Sequence, residues 1–139
     1  MEAIPVRTTQ RNQLVDITRA VQQSVDAAGM KDGLVCVFVP HTTAGVTLNE
    51  NADPDVARDV LKTLDDLIPQ RGDYRHTEGN SDSHVKSSLV APSLTVIVES
   101  GRLCLGTWQA IYFCEFDGPR SRHQGLVRRR RPGALRSTT

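Results

Sequence analysis

Cysteine, histidine and aromatic residues are all scarce in this chain of 139 residues: three Cys, four His, three Phe, two Tyr and one Trp. The cysteines, Cys36, Cys104 and Cys114, are odd in number, form no C-x-x-C pair and sit among apolar neighbours. That speaks against a disulfide framework or a thiolate metal knuckle, and reads as buried reduced thiols of a cytoplasmic protein. No apolar run approaches the roughly 18 residues of a membrane-spanning helix, so no membrane association is expected. Met1-Glu2-Ala3-Ile4-Pro5 lacks a basic segment followed by an apolar core, so no secretory signal is expected either. Excess charge is also missing, since the formal net charge is only +1. That balance conceals an asymmetry. Residues 1–119 carry 10 Lys+Arg against 16 Asp+Glu, whereas residues 120–139 carry 7 Arg and no acid. The acidic body excludes a general nucleic-acid binder, leaving only weak, non-specific contact through the Arg-rich end.

The length suits one domain able to bury a core without metal or disulfides. Ile4 to Thr8 reads as a strand. Thr18 is placed to cap a helix running to about Ala28, where Gly29 ends it, with Ile17, Val21, Val25 and Ala28 on one stripe. Leu34 to Val39 is a continuous apolar run, expected as a buried strand, and Val46 to Leu48 as a short one. Asp53-Pro54 opens a second helix whose stripe is Val56, Val60, Leu61, Leu64 and Leu67. Gln70 to Asn80 is polar and irregular, and Ser81 to Val90 is expected as a third helix. Leu94 to Glu99 alternates as a strand does, and Leu103 to Phe116 supplies one or two more. Trp108 is expected in the core. Strands outnumber helices without alternating with them, which favours an α+β domain over residues 1–127. Residues 128–139 are expected to be a disordered Arg-rich tail.

Three of the four His fall in polar turns beside element ends. His41 follows a strand. In Tyr74-Arg75-His76-Thr77-Glu78 an extended backbone puts Tyr74, His76 and Glu78 on one side. His84 lies near the start of the third helix. His41, His76 and His84 are therefore candidate ligands of one divalent metal, Zn²⁺ in the first instance, with Mg²⁺ or Mn²⁺ as alternatives. The spacing matches no standard zinc pattern, and partly exposed loop histidines are the competing reading. Glu78 and Glu50 are candidate general bases, although Asn49-Glu50-Asn51 also reads as an ordinary helix-leading loop. Gly79-Asn80-Ser81 could offer backbone N–H groups to an anion, or merely cap the helix. Arg120 and Arg122 follow a Gly-Pro turn and could clamp phosphate, or simply be solvated.

Several stretches, taken together, resemble the YjbQ family over roughly residues 5–122. They are His41-Thr42-Thr43-Ala44, Asn49-Glu50-Asn51-Ala52-Asp53-Pro54, His76 with Glu78-Gly79-Asn80 and His84, Gly106-Thr107-Trp108-Gln109, and Glu115-Phe116-Asp117-Gly118-Pro119-Arg120. The family is commonly labelled secondary thiamine-phosphate synthase. The resemblance implies a seven-stranded β-sandwich in two sheets with helices alongside, and a homotrimer whose sheets pack around a threefold axis. It also implies a site of His41, Thr42, Glu50, His76, Glu78, Asn80, His84 and Arg120. In that site Thr42, Asn80 and Arg120 would hold phosphate, Glu50, Glu78 and Asn80 would be catalytic, and the three His would hold the metal. The implied reaction joins a pyrimidine pyrophosphate to a thiazole phosphate and releases pyrophosphate. Chemistry on pyrophosphate usually employs Mg²⁺ on carboxylates, whereas imidazoles prefer Zn²⁺, so two other readings stand beside it: a metal-dependent hydrolase, and a non-enzymatic module binding a small phosphorylated ligand. The resemblance weakens after Arg122. Family members usually finish with a short apolar strand, and here only Leu126 and Val127 suit one. Its loss would leave a sheet edge unpaired.

Overall fold

Eight strands and three helices follow one another in this computed structural model, which describes residues 1–131. They are β1 (Glu2–Arg7), β2 (Gln13–Asp16), α1 (Thr18–Ala27), β3 (Gly33–Phe38), β4 (Ala44–Glu50), α2 (Pro54–Leu67), α3 (Ser81–Val90), β5 (Ser93–Glu99), β6 (Arg102–Leu103), β7 (Gln109–Glu115) and β8 (Ser121–Arg130). One sheet has the order β1-β8-β3-β5-β6 and the other β2-β7-β4, and every pairing is antiparallel. The α+β expectation holds, with eight strands in place of seven.

Alternation along the strands builds the layers. Val35 and Val37 of β3, Val96 and Val98 of β5 and Leu126 of β8 point from the larger sheet into one core. Val46, Ile111 and Phe113 of the smaller sheet meet them there, and Val21 and Val25 of α1 close one end. The opposite face of the smaller sheet presents Ala110, Tyr112 and Cys114 to Leu61, Leu64 and Val90 of α2 and α3. The smaller sheet is thus a middle layer between the larger sheet and two helices.

Local chemistry sets the helix ends. Asp53 accepts the Asp55 N–H at 2.9 Å and Pro54 is the first residue of α2, as its sequence implies. At α1 the cap differs from expectation. Asp16 accepts the Thr18 N–H at 2.9 Å, which frees the Thr18 hydroxyl to accept from Ile111 N–H at 2.8 Å.

Four further expectations are corrected. Arg128 to Arg130 belong to β8, paired with Val35, Leu34 and Gly33 of β3, because the strand continues past Val127 and Arg128 bonds Glu2 and Ser24. Residues 132–139 of the expected tail lie outside the described residues. Trp108 is 62% exposed, carried outward on the turn before β7. Leu67 projects into solvent at the end of α2. Of the three unpaired thiols only Cys114 is buried, and burial pushes it up to about 12. Among the described residues no helix is long and apolar enough to cross a membrane.

Candidate functional site

A cleft of about 590 Å³ opens where three segments meet: the turn after β3, the start of α3 and the β7–β8 turn. Its lining includes His41 and Thr42 from the first, Asn80 and His84 from the second, and Asp117 and Arg120 from the third, with Glu78 at its rim. Each segment is held by close backbone contacts. Val39 N–H donates to Pro92 O at 2.7 Å before the chain turns at Pro40. Asn80 O accepts from Ser83 N–H at 3.0 Å as α3 begins. Gly118 N–H donates to Arg11 O at 3.0 Å, and a Cβ on Gly118 would lie 2.1 Å from Gln10 O, so only glycine passes there.

Asp117 organises the polar floor. Its Oδ2 accepts from Asn80 Nδ2 and from Arg120 Nη2, each at 2.9 Å, and Arg120 Nε donates to Asp117 O at 2.8 Å. The Arg120 side chain is fixed at its inner edge and remains 52% exposed at its outer one. Deeper in, Arg122 is neutralised by Glu115 and donates to Thr43 Oγ1 at 2.8 Å, so it stiffens the floor and leaves Arg120 as the cation on offer.

His41 faces the backbone of His123, with its Nε2 3.0 Å from both the His123 N–H nitrogen and the His123 carbonyl oxygen, so it accepts from the one or donates to the other according to its tautomer. Burial, then the nearby Arg122 charge, lowers the His41 pKa. The His123 carbonyl and Glu115 oppose that shift without cancelling it. His41 is therefore a neutral imidazole at pH 7. The His76 and His84 rings meet edge to face with centroids 5.4 Å apart, in a shallow hollow beside the cleft. His76 Nε2 lies 3.8 Å from Glu78 Oε2 on the exposed surface.

The sequence-derived set is thus partly assembled. His41, Thr42, Glu78, Asn80, His84 and Arg120 share the cleft, and His76 stands behind His84. Glu50 does not join them. It ends β4, the strand whose first residue, Ala44, lies at the cleft end, and six residues of extended chain carry it about 20 Å away. Nor does the expected metal triad form. Among the described residues no three His, Cys, Asp or Glu side chains gather as a metal site, and His41 has turned Nε2 onto the His123 backbone. A Zn²⁺, Mg²⁺ or Mn²⁺ ion held jointly by His41, His76 and His84 does not fit this arrangement. Arg11, which contacts the cleft floor from outside the motifs, carries no sequence signal, because its partners Asp82 and Asp117 lie 71 and 106 residues away.

A family model described as "UPF0047 protein YjbQ-like" matches residues 2–129. The chain belongs to the YjbQ/UPF0047 family. It is 51% identical to the UPF0047 protein YugU of Bacillus subtilis over 88% of this chain and 93% of that one. It is also 51% identical to a UPF0047 protein of Methanocaldococcus jannaschii over 84% and 85% of the two chains. A crystal structure of an uncharacterised YjbQ/UPF0047 family protein from Clostridium acetobutylicum superposes with a TM-score of 0.91 at 51% identity, covering 93% of this chain and all of that one. The two-sheet arrangement is therefore that of YjbQ structures, and the Arg-rich β8 lies almost wholly within the family match.

Proposed function

We propose that the cleft of this YjbQ family member binds a small phosphorylated molecule, with Arg120 as the principal anion partner and His41 and His84 flanking the bound group. One observation carries this reading. Arg120 is a guanidinium locked on its inner edge and open on its outer edge, beside a buried Asn80, a threonine hydroxyl and two imidazoles. A neutral His41 can accept or relay a proton, and a phosphate ester needs such a group at its bridging or leaving oxygen. The reading needs no metal for binding.

The transferase reaction, joining a pyrimidine pyrophosphate to a thiazole phosphate, is an extension of the same site. A pyrophosphate leaving group calls for a fixed cation and proton donors, and the pairing of Arg120 with two imidazoles supports it. Glu50 has no part in this version unless a second subunit supplies it. The homotrimer belongs to the same proposal. The outer face of the larger sheet offers Leu34, Phe38, Ile97 and Val127, all well exposed in the single chain.

The test is calorimetric titration of chelator-treated protein with inorganic phosphate and pyrophosphate. Saturable binding is expected, weakened at least tenfold in Arg120→Ala. Wild-type protein that binds neither anion overturns the proposal.

A further inference from the structure

Arg11 lies in the turn between β1 and β2, outside every motif that marks the cleft. Its guanidinium reaches both walls of the site. Nη2 donates to Asp82 Oδ1 at 3.0 Å, to Gly79 O at 3.3 Å and to Ser83 Oγ at 3.4 Å, all at the start of α3. Nη1 lies 3.5 Å from Asp117 Oδ1 in the β7–β8 turn. The Arg11 carbonyl meanwhile accepts from Gly118 N–H.

We propose that Arg11 is a positioning residue of the anion site: it holds Asn80 and Arg120 at a fixed separation and leaves the Arg120 charge available to a ligand. The inference rests on the reading of the cleft as a phosphate site.

The electrostatics follow from a chain of alternating charges: Asp65, Lys86, Asp82, Arg11, Asp117, Arg120. Successive contacts are 2.8, 2.9, 3.0, 3.5 and 2.9 Å. Asp82 and Lys86 are buried, at 0% and 1% side-chain exposure, and Asp117 is nearly so at 10%. A carboxylate so placed requires compensation. With Arg11 present, Asp117 divides its charge between two guanidiniums. Without it, Arg120 would be the sole cation paired with Asp117, and a fully neutralised guanidinium attracts phosphate weakly. Geometry acts in the same direction. Asp117 Oδ2 orients Asn80 and Arg120 together, while Oδ1 is steadied by Arg11. A lysine at position 11 could supply charge but not span Asp82 and Asp117 with a planar fork.

The experiment uses the full chain in four forms: wild type, Arg11→Met, Arg11→Lys and Arg120→Ala. Each is titrated with inorganic phosphate and with pyrophosphate. In parallel, hydrogen exchange of the Asn80 side-chain amide is followed by NMR. Arg11→Met is expected to weaken anion binding about tenfold and to speed Asn80 amide exchange about as much, with Arg11→Lys between it and wild type. Should Arg11→Met fail to fold, Arg11→Lys carries the test. If Arg120→Ala loses binding while the Arg11 variants match wild type, Arg11 is not a positioning residue and the phosphate reading survives. If wild type binds neither anion, the phosphate reading falls and the inference about ligand charge falls with it. Unchanged Asn80 exchange in the Arg11 variants overturns the positioning role whatever the titrations show.

Discussion

Arg122 and Glu115 form a two-point ion pair inside the sandwich, with Nη2 2.6 Å from Oε2 and Nε 2.9 Å from Oε1. Thr8 and the Phe116 and Asp117 N–H groups also donate to this carboxylate. Burial pushes the Glu115 pKa up, but the hydrogen bonds from Arg122, Thr8 and the backbone, with the Arg122 charge, hold it below the ordinary value of 4.5. A depressed carboxyl pKa contributes stability above the unfolded value and loses it as pH falls through the folded one. Glu115→Gln, which strands a buried guanidinium, should therefore cost about 3–5 kcal/mol at pH 7. In urea unfolding the gap to wild type should narrow below about pH 4. A gap constant down to pH 3 would remove the ionic account.

His41 carries the second prediction. Its folded pKa lies below 6.5, from burial and then the Arg122 charge. A histidine shifted down contributes stability that is complete above the unfolded value and lost as pH falls through the folded one. The His41 ring signal should titrate below 6.5 in proton NMR, and saturating phosphate should move it upward, because an adjacent anion favours the imidazolium. A midpoint above 6.5 without ligand, or none of this movement with it, would separate His41 from the anion site.

The end of β8 gives the third. Two truncations isolate it: after Arg131, which keeps β8, and after Val127, which removes the register pairs of Arg128, Arg129 and Arg130 with β3 and the Arg128 contact to Glu2. At about 1 kcal/mol per backbone hydrogen bond, the shorter chain should be less stable than the longer by about 2–3 kcal/mol. Equal denaturant midpoints would mean that these arginines add nothing to the sheet.

That strand also marks the limit of what the sequence discloses. Its inward positions hold Arg122, Gln124 and Leu126, so two of three are polar where a strand signal expects apolar residues. Arg122 tolerates burial only because Glu115 meets it. β2 was hidden for a similar reason, having only Leu14 and Val15 between polar ends. The helices were legible because their signals are local: Asp53-Pro54 before α2, and Gly29 after α1 with φ +58°. At the site, the motifs supplied His41, Asn80 and Arg120, and the fold places all three in one cleft. Glu50 was misplaced because a motif preserves sequence order but not distance along an extended strand. Arg11 is not legible in the sequence because a long-range ion pair leaves no periodic trace.

Assembly is the fourth prediction. On the outer face of the larger sheet, Leu34 stands opposite Ile97 and Cys36 beside Val127 in register, with Phe38 one row further on. Leu34, Phe38, Ile97 and Val127 are 38–52% exposed, and this apolar patch is the surface on which the proposed trimer rests. Light scattering at micromolar concentration should report three subunits. Ile97→Glu should dissociate them without unfolding the chain, because Ile97 lies outside the core. A wild-type monomer would remove the trimer and any Glu50 contribution from a second subunit.

Metal dependence is the last. His41 is engaged by the His123 backbone, and His76 and His84 form an edge-to-face pair apart from it. With the three imidazoles so divided, the chelator-treated protein should bind phosphate as the untreated protein does. Added Zn²⁺ should leave the melting temperature unchanged to within about 1 °C, since a ligand selective for the native state raises stability only through a formed site. His84→Ala should then weaken phosphate binding several-fold through loss of a hydrogen-bond donor, with the same ratio in the presence and absence of chelator. The opposite outcome is equally readable. A Zn²⁺-dependent rise of several degrees that disappears in His84→Ala would show that the imidazoles rearrange to ligate a metal. The anion site would then be one that a metal completes.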